Sequence, residues 1–339
     1  MKRYLSLLLI LAFVLPSYAG DISRKGTTGS DQLLIPVGAR GIATGGAFVS
    51  SVTGMESIFY NPAGLDVDRK TEAMFSYMSY IADINISYFA AGTSLGEFGS
   101  IALSFKSMNF GDIPVTTVNT PDGDGTTYSP GFLVAGLTYS KIITDRVSIG
   151  VNAKVVSETI MNTNATGFAL DFGVQYRFDK NLTIGAAVKN IGTNMQYSGQ
   201  DLQFKTNVPG AIPGSTGGNY QAVTEPYQIP SFFELSLAYK FDFDKDNKLM
   251  LGGTFVNNNA FEDQFKLGLE YGFQDMFFVR GGYALQTANN QDNIFGVNLG
   301  AGINYKLTDE IGVVVDYAFR QVKEFPNPNH IVTVKLAFK

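Results

Sequence analysis

The sequence predicts an all-β protein, a 14-stranded antiparallel transmembrane β-barrel with an N-terminal plug or hatch segment. Three observations predict it. Segments of about ten residues alternate apolar with polar or small side chains some fourteen times over, the signature of a barrel wall with lipid on one face. The connections between these segments sort into short turns and longer loops. The chain also opens on an export signal and contains no cysteine and no tryptophan.

The first element is the signal, residues 1–19. Met1-Lys2-Arg3 gives a positive start, 5–15 are mostly apolar, and Pro16-Ser17-Tyr18-Ala19 gives a small-x-small end, so cleavage is expected after Ala19. The apolar run is too short to be a membrane span. Removing Lys2 and Arg3 lowers Lys+Arg from 25 to 23 against 30 Asp+Glu, a mature charge near −7, which excludes nucleic acid as a partner. Without cysteine there is no disulfide framework, and stability must come from size and backbone pairing. Charged residues make up 16% of the chain, below the roughly 25% of soluble domains. Beyond the signal no run of 18 apolar residues exists, so helical spans are excluded.

Residues 20–70, the second element, do not alternate. Gly26, Gly29, Gly38, Arg40, Gly41, Gly45 and Gly46 lead to Asn61-Pro62-Ala63-Gly64, a density of small residues suited to a compact segment packed against other backbone. A fourteen-strand barrel is too wide for wall side chains to fill, about eight strands being the packed case. Residues 20–70 are therefore expected to be a plug in the lumen.

The barrel, 71–339, follows. Between 293 and 306, Phe295, Val297, Leu299, Ala301, Ile303 and Tyr305 take one face and Gly296, Asn298, Gly300, Gly302, Asn304 and Lys306 the other. Val313, Val315, Tyr317 and Phe319 oppose Gly312, Asp316 and Arg320. Leu267, Leu269 and Tyr271 oppose Lys266, Gly268 and Glu270, and Leu170, Phe172 and Val174 oppose Asp171, Gly173 and Gln175. Weaker alternation marks 71–80, 84–94, 98–106, 131–141, 146–156, 181–189, 231–241, 247–257, 276–285 and 330–338. With the first strand rising from the periplasm, the turns near 95–98, 142–146, 178–181, 242–247, 273–275 and 307–310 are periplasmic. The loops 107–130, 157–165, 189–230, 257–263, 286–292 and 320–329 are then extracellular. An even strand number seals the sheet and leaves no edge in lipid. Tyr77, Tyr80, Tyr176, Phe178, Tyr239, Phe241, Tyr271, Phe273 and Phe319 are expected to form interfacial girdles.

Gly38-Ala39-Arg40, Gly45-Gly46-Ala47 and Tyr60-Asn61-Pro62-Ala63-Gly64-Leu65 resemble the hatch of FadL-like outer-membrane barrels. More narrowly, the chain is similar to the PorV/PorQ family. The further matches are Ala82-Asp83-Ile84-Asn85, Gly111-Asp112-Ile113 and Lys189-Asn190-Ile191-Gly192-Thr193. One departure is Lys339 after Phe338, where assembly signals usually end on the aromatic. The resemblance implies residence in the outer membrane of a Gram-negative bacterium and one of two non-enzymatic roles. PorV-like members serve type IX secretion and hold exported cargo at the outer face; FadL-like members pass hydrophobic small molecules. The expected partners are accordingly outer-membrane lipid and either cargo with secretion components or a hydrophobic small molecule, with the surface-protein role taken first. Loops 107–130 and 189–230 would then form the extracellular binding surface.

The candidate site residues are few. Lys154, Asp171, Glu234, Lys266, Glu270, Arg280, Asp316 and Lys335 share the inward parity, and their mixed signs suit a paired network holding a plug. Gly281 and Gly282 interrupt the outer face of their strand and mark a bend, a close backbone approach or a lateral opening. Asp242, Asp244 and Asp246 mimic the start of a calcium loop but lack its glycine and its closing glutamate, so a solvated turn is expected. Asp122-Gly123-Asp124-Gly125 reads as turn chemistry. His330, the one histidine, points outward with no serine in its strand, which argues against a hydrolase. No metal, phosphate-binding or nucleophile motif is present, and no cofactor is expected.

Overall fold

The computed structural model describes residues 26–206, 212, 217–287, 293–308 and 310–338; the signal 1–19 and Lys339 lie outside them. Fourteen strands form the wall. They are β1 Thr71–Ser79, β2 Asn85–Ser94, β3 Ser100–Asn109, β4 Gly131–Thr144, β5 Val147–Ile160, β6 Thr163–Arg177 and β7 Leu182–Gly192. The second half comprises β8 Phe232–Asp242, β9 Asn247–Asn258, β10 Gln264–Phe273, β11 Phe277–Gln286, β12 Phe295–Lys306, β13 Ile311–Val322 and β14 Asn329–Phe338. Every strand pairs antiparallel with its sequence neighbour. The sheet closes where β1 meets β14, from Thr71↔Phe338 to Ser79↔His330. Closure is what lipid demands, because no backbone group in the hydrocarbon layer can be left to water.

Side-chain parity sorts the wall as the alternation requires. In β3, Ile101, Leu103 and Phe105 are exposed outward while Ala102, Ser104 and Lys106 are buried inward. In β13, Val315 and Tyr317 face out and Asp316, Ala318 and Arg320 face in. An exposed apolar belt of this extent marks a membrane-facing surface.

The lumen is filled by the segment from Gly29 to Asp68, which carries two short helices, α1 Ala39–Ala43 and α2 Ser57–Tyr60. Its apolar residues pack on the inner wall. Ile35, Ile42 and Ala43 meet Met78, Ile86, Ala318 and Ile331; Val37, Met55 and Ile58 meet Met74, Tyr88 and Ala102. Contact is close enough to require glycine on the wall. A Cβ on Gly150 of β5 would lie 2.3 Å from the Pro62 carbonyl carbon, and one on Gly282 of β11 2.2 Å from that of Thr44.

The structure departs from the sequence reading at four places. The expected loop 157–165 is a turn at Met161-Asn162, because β5 and β6 run on past it and Asp201 caps the turn through Asn162 N and Nδ2, both at 2.9 Å. Phe295 does not share the outer face of Val297: a register shift between Phe295 and Asn298 turns its ring into the lumen. Bulges re-aim side chains in this way. Tyr80 is likewise no girdle residue, since its ring lies beside the inward Arg320. Gly282 faces the plug, leaving Gly281 alone on the outer face.

Candidate functional site: a vestibule, its floor and a seam in the wall

The plug is held by charge pairs that would be costly if left single in a lipid-walled lumen. Arg40 of α1 grips Glu270 of β10 through Nε and Nη2, at 2.7 and 2.9 Å. Arg280 of β11 reaches the same carboxylate at 2.5 Å and Asp316 of β13 at 2.7 Å. Lys335 of β14 lies 3.4 Å from both Asp316 and Glu56 of the plug. Two further pairs stand apart, Lys154–Asp171 at 2.6 Å and Lys266–Glu234 at 3.0 Å. The eight inward charges singled out from the sequence thus all lie in ion pairs, and Arg40 and Glu56 supply the plug's share, which parity along wall strands could not reveal.

The small-residue motifs shape the plug itself. Gly38, Gly45 and Gly46 have φ of 81°, 65° and 74°, and the Gly38 turn lets Glu56 accept from Gly41 N at 2.8 Å. Asn61 is fully buried. Its amide donates to Val49 O in the plug at 3.0 Å and to Val174 O of β6 at 3.1 Å, while Ala63 N donates to its oxygen at 3.1 Å. Pro62 opens the following turn, and Gly64 lies where a Cβ would strike Val52 O at 2.0 Å.

Above the plug, at the long-loop end, opens a vestibule of about 920 Å³. Residues 28–36 make its floor, and Tyr80, Phe110, Phe132, Tyr227, Phe261 and Phe295 give it an aromatic wall. A side chamber of about 270 Å³ shares Phe261, Phe295 and Arg320 with it and runs down beside the plug to Gly45 and Tyr60. One side of the vestibule is latched by Glu158 of β5. Its carboxylate accepts from Ser30 at 2.5 Å and Gln32 at 2.7 Å in the plug, and from Tyr197 and, at 2.9 Å, Tyr227 in the long loop. Burial and the neighbouring Glu158 charge push the Tyr227 phenol up to about 12. The sequence placed Glu158 in a loop, so its role went unread.

Three inward cations have no carboxylate within 4 Å among the described residues, in contrast to those below them. Lys106 donates to the Gln32 and Ile35 carbonyls. Lys189 lies 4.0 Å over the Phe59 ring and 5.0 Å from that of Phe232. Arg320 lies 3.9 Å over Phe295 and 5.6 Å from Tyr80. Inward parity was the available signal for Lys106 and Arg320.

The wall is incomplete beside this chamber. The β11–β12 ladder runs from Phe277↔Ile303 and stops at Gly282↔Asn298. Beyond that point β11 stays paired to β10 as far as Gln264↔Gln286, and β12 meets β13 at Phe295↔Val322 across the bulge. Side chains span the seam in place of the ladder: Asn293 Nδ2 donates to Ala284 O at 2.8 Å and Asn298 Nδ2 to Gly282 O at 3.3 Å.

The remaining sequence candidates lie elsewhere. Asp244 is a turn residue that accepts from Asp246 N and Asn247 N at 2.8 and 2.7 Å, and Asp124 does the same for Thr126 N at 2.9 Å. His330 is exposed on the outer face, its Nδ1 2.7 Å from the Tyr317 hydroxyl.

No protein-family model and no curated protein matches this chain. Solved structures do. The CymD monoaromatic hydrocarbon channel aligns with a TM-score of 0.57 at 11% identity, over 90% of this chain and 98% of that one. The Pseudomonas putida toluene transporter TodX gives 0.57 at 12% over the same shares. A Pseudomonas aeruginosa FadL homologue gives 0.51 at 12%, again over 90% and 98%. At these identities the likeness is one of fold, that of FadL-like outer-membrane barrels, and with its closed ring of strands and apolar belt the protein is an outer-membrane barrel.

Proposed function

We propose that this barrel admits a small apolar or amphipathic molecule from outside and releases it sideways through the β11–β12 seam into the outer leaflet, without chemical conversion. The observation that carries the reading is the coincidence of the seam with the chamber: Ala284, Gln286, Phe295 and Asn298 line the side chamber at the level where the ladder has ended. An aromatic cavity of this size suits such a ligand. The names of two fold neighbours, a toluene transporter and a hydrocarbon channel, support the same reading. The hatch role of the plug and the paired lumen charges belong to it: they hold a floor that keeps the ligand from the periplasm and turns it toward the wall.

The test is uptake of a lipophilic dye into proteoliposomes. Tyr283→Cys and Val297→Cys, on the two strands at the seam, are joined by a short bis-maleimide in a background free of other thiols. Uptake is expected to stop on cross-linking and to persist with either single cysteine treated alike. Undiminished uptake after full cross-linking rejects the seam as the path.

A PorV/PorQ-type role in type IX secretion is the second reading. It is favoured by the hairpin of Gln203–Thr206 with Gly218–Gln221, which presents a stacked Phe204 and Tyr220 and an exposed Val223 outside the barrel. Apolar residues displayed on a loop suit a protein partner. Cargo that copurifies with the protein and is lost when 203–221 are deleted would establish this role; unchanged recovery excludes it.

A further inference from the structure

We infer that the vestibule is built for an organic monoanion with an aromatic body, an aryl carboxylate, whose head is received by Arg320, set between Asn298 and Asn329. The inference rests on the proposed uptake role and names its substrate class. These three residues form one row across neighbouring strands, Asn298↔Arg320 between β12 and β13 and Arg320↔Asn329 between β13 and β14. All three side chains face inward and are at least nine-tenths buried. Each also has polar atoms without a hydrogen-bond partner: Arg320 Nε, Asn298 Oδ1, and both Oδ1 and Nδ2 of Asn329. Unpaired buried atoms occur elsewhere in the lumen too, on Tyr60, Ser148 and Glu234, but here four of them adjoin, and leaving several adjacent ones unmet is costly.

The guanidinium decides the sign of the ligand. Among the described residues Arg320 makes no ion pair, and its plane lies over Phe295, which the β12 bulge has turned inward. Lys106 and Lys189 are already engaged by carbonyls and by ring faces. The described carboxylates around the vestibule do not neutralise Arg320 either. Both Glu158 oxygens are held by neutral donors, Asp31 is exposed and Glu262 is half-buried, so water screens the latter two. A carboxylate at the cavity face of Arg320 accepts from its guanidinium, a charge-assisted bond. Its ring then lies among Phe110, Phe132 and Phe261, where edge and offset-stacked contacts are available. A plain hydrocarbon would leave the guanidinium unmet.

The experiment measures binding of tritiated 4-phenylbutyrate and of its neutral isostere 4-phenylbutyramide to the full-length protein in nanodiscs. The acid is expected to bind about tenfold or more tightly than the amide. In Arg320→Met that ratio collapses toward one, and in Arg320→Lys it is partly restored. Arg320→Gln lowers the ratio too and serves if Arg320→Met fails the heat-modifiability test for a folded barrel. Octanoate, with the same head and no ring, is expected to bind more weakly than the aryl acid. Equal binding of acid and amide to the wild type overturns the anion site while leaving hydrophobic uptake standing. Octanoate binding as tightly as 4-phenylbutyrate overturns the aromatic body. Binding of none of the three, together with no dye uptake, removes the uptake role itself.

Discussion

The plug is seated residue by residue, and glycine is where its fit is tightest. Gly150 shows the reason: three backbone atoms of Pro62 and Ala63 lie within 2.5 Å of where its Cβ would be, and backbone cannot rotate away as a side chain can. Gly150→Val is therefore expected to push the Asn61-Pro62 turn off the wall, at a cost of about 1–3 kcal/mol for overpacking. The measurement is thermal unfolding in detergent together with single-channel conductance in a planar bilayer. A lower transition temperature and new conductance are expected. Gly312→Ala is the control, its nearest neighbour being 4.0 Å away, and a matching change there would reject the steric account. At this scale the sequence was informative about direction and silent about partners. Period-two parity pointed Lys154, Glu270 and Asp316 inward, yet nothing in the order of residues says that Arg40 from the plug completes the Glu270 site. Phe295 shows the same limit. Its apolar character fits either face, and the extra residue that turns it inward exists only in the pairing with β13.

Among elements, strands were legible wherever both faces meet different solvents, and illegible above the membrane. β5 and β6 continue to Ile160 and Thr163, where water bathes the outside and alternation loses its apolar half. What stiffens that end is the long loop, through Asp201 at the turn and through Tyr197 and Tyr227 on Glu158. These contacts join residues 39 and 69 positions apart, a separation no local pattern encodes. The loop is thus a fixed side of the vestibule. In the double variant Tyr197→Phe with Tyr227→Phe, Glu158 keeps only Ser30 and Gln32, and two donors to a buried carboxylate are lost. Limited proteolysis within 193–230 is expected to accelerate severalfold while the barrel itself stays folded. Cleavage at the wild-type rate would mean that the loop is held by its apolar contacts, Met195 and Ile229 on Val156 and Ala165, and that the latch is dispensable.

For the molecule as a whole, strand number and the sidedness of the loops followed from the sequence because a lipid solvent permits so few backbone solutions. The proposed path was signalled only by Gly281 and Gly282, since its place depends on where one ladder stops. The structure separates two routes, downward past the plug or sideways through the seam, and the network below the vestibule bears on the choice. Moving the plug would expose Glu270, Asp316 and Glu56 together, and breaking a buried pair by removing one partner costs about 3–5 kcal/mol. Among the described residues, opening the seam displaces the side-chain hydrogen bonds from Asn293 and Asn298. The sideways route is therefore the cheaper one. A covalent lock tests it directly. Ser50 of the plug and Ser236 of β8 have hydroxyl oxygens 3.3 Å apart, three strands away from β11 and its seam with β12, and the chain has no cysteine of its own. Ser50→Cys with Ser236→Cys, oxidised to a disulfide, is expected to leave dye uptake into proteoliposomes at the wild-type rate, before and after reduction. If oxidation stops uptake and reductant restores it, the ligand passes the plug, and the seam is a flaw in the ladder without a role in transport.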